Sequence, residues 1–221
     1  DWEIFFDSNL LGDLVPTQHT FNDLKDEYPA ATTSGNFVWV HGPVMMEEIR
    51  HYDSGTHVES TISDASCPTD TYSNKRPAAD NGDVVWRAFH RSEITYRVTK
   101  WEGSTGLSFD LSEEVTANLA TELSIDDDDL AYKSAGWVTY WDGTTALAIA
   151  EGQTPSLHTG RIAYVVWDGD YEIHYWDGTT IYEITDNNYH DSQPRLFEDV
   201  LVWVGFVDGG PGQIFYARLN H

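Results

Sequence analysis

The sequence predicts an all-β fold made from one repeated four-stranded unit, and three observations carry that prediction. The hexapeptide YWDGTT occurs twice, at Tyr140–Thr145 and at Tyr175–Thr180. Short runs of β-branched and aromatic residues recur around anchor aromatics at Trp39, Trp86, Tyr132, Tyr164 and Trp203, whose spacings are 47, 46, 32 and 39 residues. No segment shows a capped 3.6-residue period, and the acidic stretch Ser112–Leu119 is the best helical candidate. A period of about 40–45 residues with four short strands is the pattern of a propeller blade. Five anchors therefore predict a five-bladed β-propeller filling residues 1–221 as a single domain.

The units run in order along the chain. The first is PAATTSGNFVWVHG from Pro29, and the second is PAADNGDVVWRAFHRSEITYRVTKWEG from Pro77. A degenerate third, LSIDDDDLAYKSAGWVTYWDGTT, has Leu123 where the others have proline. The fourth is PSLHTGRIAYVVWDGDYEIHYWDGTTIYEIT from Pro155, and the fifth is PRLFEDVLVWVGFVDGGPGQIFYARL from Pro194. Each proline is expected to open an inner strand. FVW, VVW and LVW form a second strand of high β-propensity. EIHYW and QIFYA alternate at period two as a third strand, and WDG, WEG or DSG turns the chain into a fourth.

These features resemble the TolB-like, WD40-like propeller repeats of bacterial envelope and secreted proteins. The matching residues are the inner-strand proline, the hydrophobic second strand, the I-x-Y-W-D-G third strand and the closing I-T-D. The family's usual Asp-Gly between the first two strands is kept in similar form by Asn81-Gly82 and Ser34-Gly35 but not by Glu198-Asp199. The resemblance implies a propeller of the TolB type that works by protein or peptide interaction, in a secreted, periplasmic or cell-surface location. Ring closure is expected from the N-terminal DWEIFFDSN and GDLVPTQHT, which would supply outer strands of the last blade. EIFF at Glu3–Phe6 and QIFY at Gln213–Tyr216 both read as third strands, so one is surplus. Six blades, or a ring completed by a partner, are the alternatives.

Composition narrows the function. Acidic residues number 37 against 12 basic ones, and the net charge of −25 argues against nucleic acid and anionic membranes as partners. Lysine is confined to Lys25, Lys75, Lys100 and Lys133, the balance of a salt-adapted surface or of an acidic secreted protein. Cys67 is alone, so an internal disulfide is impossible. No apolar run approaches the ~20 residues of a membrane span. The opening at Asp1 reads as a trimmed terminus.

Candidate sites emerge from spacing. The pattern [ND]-x-[YL]-x-[ND]-x-x-P occurs at Asn22, Asp26 and Pro29, at Asp70, Asn74 and Pro77, and at Asn187, Asp191 and Pro194. Its oxygens suit Ca²⁺, or they cap the turn into the inner strand. The run Asp126–Asp129 suits a cation or a solvated turn. The expected inner strands PAA, PAA, LSI, PSL and PRL carry no carboxylate, with Asp80 and Asp126 only at their ends. That counts against the paired carboxylates of a propeller glycosidase. Cys67 has no evident activating base, and the His residues lack metal-ligand spacing. His190 aligns with Lys25 in another copy and reads as a variable surface position.

Aromatic rings beside acids at the blade turns suit sugars: Tyr140, Trp141, Asp142, Tyr175, Trp176 and Asp177, with Trp101 and Glu102 a weaker copy. Arg195 is placed in the channel, to meet an anion or neighbouring carbonyls. The expected function is non-catalytic recognition of carbohydrate, with protein or peptide interaction as the rival and glycoside hydrolysis the second alternative.

Overall fold

A computed structural model describes residues 5–6, 17–18, 20, 23–32, 35–43, 47–63, 71–90, 95–111 and 121–219. The chain divides into two compact units, Asp1–Thr116 and Ala117–His221.

In the first unit, β1 (Phe5–Phe6) and β2 (Thr17–Gln18) pair with each other. Next is a four-stranded meander: β3 (Asp26–Ala31), β4 (Phe37–His41), β5 (Glu48–Asp53) and β6 (Val58–Thr61). A second comprises β7 (Thr71–Asp80), β8 (Asp83–His90), β9 (Thr95–Glu102) and β10 (Leu107–Asp110). The second unit holds β11 (Thr121–Asp126) to β14 (Ala146–Glu151), with β12 (Asp129–Ser134) and β13 (Trp137–Trp141) between. Next come β15 (Gln153–His158), β16 (Arg161–Trp167), β17 (Tyr171–Trp176) and β18 (Ile181–Glu183). The last sheet has three strands, β19 (Asp191–Phe197), β20 (Val200–Gly205) and β21 (Gln213–Arg218). All ladders are antiparallel. The helix expectation at Ser112–Leu119 lies outside the described residues, as do Cys67, Asn22 and Asp70. Among the described residues the only helical turn is a 3₁₀ turn at Val207–Gly209, and no helix is long and apolar enough to cross a membrane.

All five anchor aromatics sit on second strands and are buried. Within each unit, Trp86, Tyr164 and Trp203 are buried between neighbouring sheets, the step that converts alternating patterning into stability. In the first unit Val38, Val40 and Ile49 meet Val84, Trp86 and Trp101. In the second, Ala131 and Val138 meet Leu157, Ile162, Tyr164 and Trp176, while Val165, Ile173 and Tyr175 meet Leu196, Leu201 and Trp203. Serines stitch the second unit's inner strands: the Leu157 amide donates to Ser124 Oγ at 3.0 Å, and the Leu196 amide to Ser156 Oγ at 2.9 Å.

The repeated proline does not open its strand. It lies inside it, in a bulge. In the five inner strands the register slips at Tyr28-Pro29, Arg76-Pro77, Glu122-Leu123, Thr154-Pro155 and Gln193-Pro194. The first residue of each pair takes a positive φ, between 48° and 62°. Such a backbone costs a non-glycine residue about 1–2 kcal/mol. A bulge leaves residues outside the ladder, so proline's missing N–H is tolerated there.

The earlier strand start has a second consequence. The inner strands do carry carboxylates: Asp26, Glu27, Glu122 and Asp191. The expectation of acid-free inner strands is corrected, because the strands extend on the N-terminal side of the proline.

Candidate functional site

The WDGTT turns are closed by their own side chains. Asp142 Oδ1 accepts from the Thr144 amide at 2.9 Å, Thr144 Oγ1 at 2.8 Å and the Thr145 amide at 2.8 Å. Asp177 repeats the arrangement with the Thr179 amide, Thr179 Oγ1 and the Thr180 amide at 2.8, 2.8 and 2.7 Å. Backbone donation by Thr180, then Thr179's contacts, pull the Asp177 carboxyl down to about 2. The Asp142 carboxyl lies well below the usual range through the same donors, Thr145 first. The aromatics expected to stand exposed beside these turns do not. Trp141, Tyr175 and Trp176 are buried: Tyr175 packs with Leu196, Leu201 and Trp203, and Trp176 with Ala131 and Val138, Tyr140 lying 5.4 Å from the Trp176 ring. The Tyr140 hydroxyl donates to Asp129 Oδ2 at 2.6 Å; burial first, and then that carboxylate, push its ionisation upward. Arg195 is exposed and its guanidinium donates to the Pro194 carbonyl at 2.8 Å.

The repeated Asx pattern builds a buried brace. Asp191 is fully buried: Oδ1 accepts from Trp203 Nε1 at 3.0 Å, and Oδ2 from Asn187 Nδ2 at 2.6 Å. Asn187 also donates its backbone N–H to Glu172 Oε1 at 2.9 Å, while its Oδ1 accepts from the Tyr189 amide. In the first sheet Asp26 accepts from Trp39 Nε1 at 2.9 Å and contacts His41 Nδ1 at 2.7 Å. Asn74 belongs to β7, and its side chain lies outside the described residues. The acidic run is a hairpin turn between β11 and β12, where Asp126 accepts from the Thr159 amide.

Antiparallel geometry places the β16–β17 turn, the β18–β19 connection and the β20–β21 turn at one end of their two sheets, opposite the Asp177 turn. There they enclose a cleft of about 640 Å³ lined by Gly169, Asp170, Asn187–His190, Phe206, Asp208 and Gly209. Its wall is aromatic. His190 lies 5.9 Å from the exposed Trp167 ring and 5.2 Å from Tyr171, whose amide it accepts at Nδ1. Tyr189 stacks on Phe215 at 6.2 Å, and Phe215 on Trp203 at 5.9 Å, which joins the wall to the Asp191 brace. Glycine is required at two points beneath it. A Cβ on Gly205 would stand 2.6 Å from Asp191 Oδ1, and one on Gly212 would stand 2.7 Å from Val204 Cγ1 and 3.3 Å from the Phe206 ring.

Acid groups gather at the mouth. Carboxylate oxygens of Asp168, Asp170 and Glu172 lie within 4.8 Å of one another. Glu172 is buried, and that burial raises its pKa; Asp170 and Asp191 add to the rise, while bonds from Thr185 and Asn187 oppose it. Asp168, Asp170 and Asp208 accept no side-chain hydrogen bond among the described residues, unlike Asp142 and Asp177.

Comparison with solved structures decides the fold. TolB from Acinetobacter baumannii superimposes with a TM-score of 0.63 at 13% identity, over 92% of this chain and 54% of that one. A putative TolB from Agrobacterium tumefaciens gives 0.61 at 13%, over 91% and 83%. The fold is that of a TolB-like β-propeller. The β-propeller domain of the Trilobed protease from Pyrococcus furiosus, described as having an open velcro topology, gives 0.52 at 10% identity over 89% and 81%. The chain thus spans about half of the first TolB and most of the other two. No protein-family model and no curated protein matches the sequence.

In propeller terms the cleft joins loops of two consecutive blades. Sequence reading missed Trp167, Asp170, Tyr189, Phe206 and Asp208, and set His190 aside as a variable surface position. The available signal was a third WDG, Trp167–Gly169, which lies at the opposite end of its sheet from the Asp177 turn.

Proposed function

We propose that the chain is a non-catalytic recognition propeller that holds a protein or peptide segment. The observation that carries this reading is the cleft between the fourth and fifth sheets, an aromatic recess built entirely from loops. Loops on a rigid scaffold are where propellers and other repeat folds place binding. The solved structures that share this fold include TolB proteins and a chain of a nidogen–laminin complex matched at TM-score 0.56. The sugar reading loses its premise, since Trp141, Tyr175 and Trp176 offer no exposed ring face. Each of the five sheets of three or four strands is taken as one blade, in a secreted, periplasmic or cell-surface setting.

The test is selection from a displayed random-peptide library on the immobilised chain, with a Trp167→Ala/Phe206→Ala variant as counter-target. Enriched peptides should bind the wild-type chain at least tenfold more tightly than the variant. Enrichment indifferent to those two rings, or steady hydrolysis of model glycosides, overturns the reading.

A further inference from the structure

The cleft's chemistry specifies its occupant more narrowly than its shape does. Tyr189, Phe206 and His190 line it, together with Asp170 and Asp208 from two different turns. No Lys or Arg lines it among the described residues. The neighbouring Asp168 and Glu172 lie close to Asp170, so three carboxylates converge at one wall. These acids are not consumed internally, for Asp168, Asp170 and Asp208 hold no side-chain hydrogen bond among the described residues. Glu172 and Asn187 are fixed by the Asp191–Trp203 brace beneath, so the wall is positioned before any ligand arrives.

We propose that this cleft receives an arginine side chain of the peptide partner. The inference rests on the peptide-recognition reading and narrows it. A planar guanidinium presents donors in its plane and apolar faces above and below. Here the edges reach Asp170 and Asp208 while a face lies on the Tyr189 or Phe206 ring, which combines charge-assisted hydrogen bonds with cation–π attraction. An ammonium group has the charge without the flat faces and binds more weakly. The −25 net charge of the chain draws a cationic peptide toward it from a distance.

The experiment is an amide NMR titration of the full chain with acetyl-glycyl-arginyl-glycinamide, its citrulline analogue, and its lysine analogue. Citrulline keeps the shape and removes the charge. Arginine peptide should shift the Gly169, Asp170 and Gly209 amides and the Trp167 indole. The citrulline peptide should bind at least about tenfold more weakly, and Asp170→Asn should weaken arginine binding by about the same factor. Lysine should fall between, and rising salt should weaken only the charged peptides. Equal binding of arginine and citrulline peptides at these residues overturns the arginine inference and leaves peptide recognition standing. No peptide-dependent shift at the cleft, together with no ring-dependent peptide in the library selection, overturns both. Ca²⁺ alone shifting the Asp168, Asp170 and Glu172 signals and displacing the arginine peptide also overturns it, in favour of an inorganic cation.

Discussion

Two turns of the fourth sheet begin with the same three letters and end in opposite states. In Trp176-Asp177-Gly178-Thr179-Thr180 the carboxylate is saturated by the two threonines after the glycine. In Trp167-Asp168-Gly169-Asp170 a second acid stands where a threonine would, and the turn leaves its carboxylates unbonded beside buried Glu172. The ring is inverted too: Trp176 is buried, whereas Trp167 is 60% exposed. The tripeptide therefore carries a turn, not a role. The residue after its glycine, and the end of the blade it occupies, decide whether the acid closes the chain on itself or stands without a hydrogen bond.

The comparison breaks most severely at the brace under the open turn. Asp191→Ala strands the Trp203 indole and Asn187 in a buried site and should cost about 2–4 kcal/mol in urea denaturation. Gly205→Ala should act similarly, because its Cβ would collide with Asp191 and Phe215. EDTA should leave the melting temperature unchanged, because Asn187 and Asp191 are satisfied by protein groups; a drop would assign this loop to Ca²⁺.

A second way to sharpen the contrast is pH, where the two turns carry opposite signs. The Asp142 and Asp177 carboxyls are depressed in the folded chain, so their contribution is complete above the ordinary 3.8 and is lost as pH falls through the depressed values, about 2 for Asp177 and lower still for Asp142. Glu172 is raised above its ordinary 4.5, so its effect is the reverse: the folded state is favoured below that value and loses ground as pH rises through the shifted one. Asp177→Asn should flatten the acid limb of a stability–pH curve. Asp170→Asn should move the Glu172 titration downward, read by carboxyl-carbon NMR.

The smallest effect is on stability at the open turn. Asp170→Asn removes like charge and no hydrogen bond, so folding stability should hold within about 0.5 kcal/mol or rise slightly. A clear loss would show that the open turn is structural after all.

The sequence disclosed the features it repeated. Trp39, Trp86, Tyr132, Tyr164 and Trp203 marked the second strands because every blade needs a large ring there. The bulge was misread because proline more often begins a strand, and only the register shows Gln193-Pro194 standing outside the ladder. The brace was half visible: its Asx spacing could be seen, its Trp203 partner could not. One covariation within the chain does betray it. Trp39, Trp86 and Trp203 have Asp26, Asn74 and Asp191 twelve or thirteen positions earlier, whereas Tyr132 and Tyr164 have Ala120 and Gly152. At the last of these a Cβ would lie 2.8 Å from the Tyr164 ring, so ring and small residue were fitted together. The cleft was invisible because Asp170, His190, Phe206 and Asp208 are positions where the repeats differ, brought together with Tyr189 from three separate loops.

The fifth sheet ends in β21, which pairs only with β20 among the described residues, while Ile214 and Tyr216 are 75% and 73% exposed. Every second amide along that margin points away from its neighbour and should trade hydrogen for deuterium at nearly the pace of unfolded chain, while the intervening amides stay shielded. Any segment that docks there, from this polypeptide or another, would erase the alternation, so isotope exchange along Gln213–Arg218 becomes a direct gauge of whether the margin is occupied.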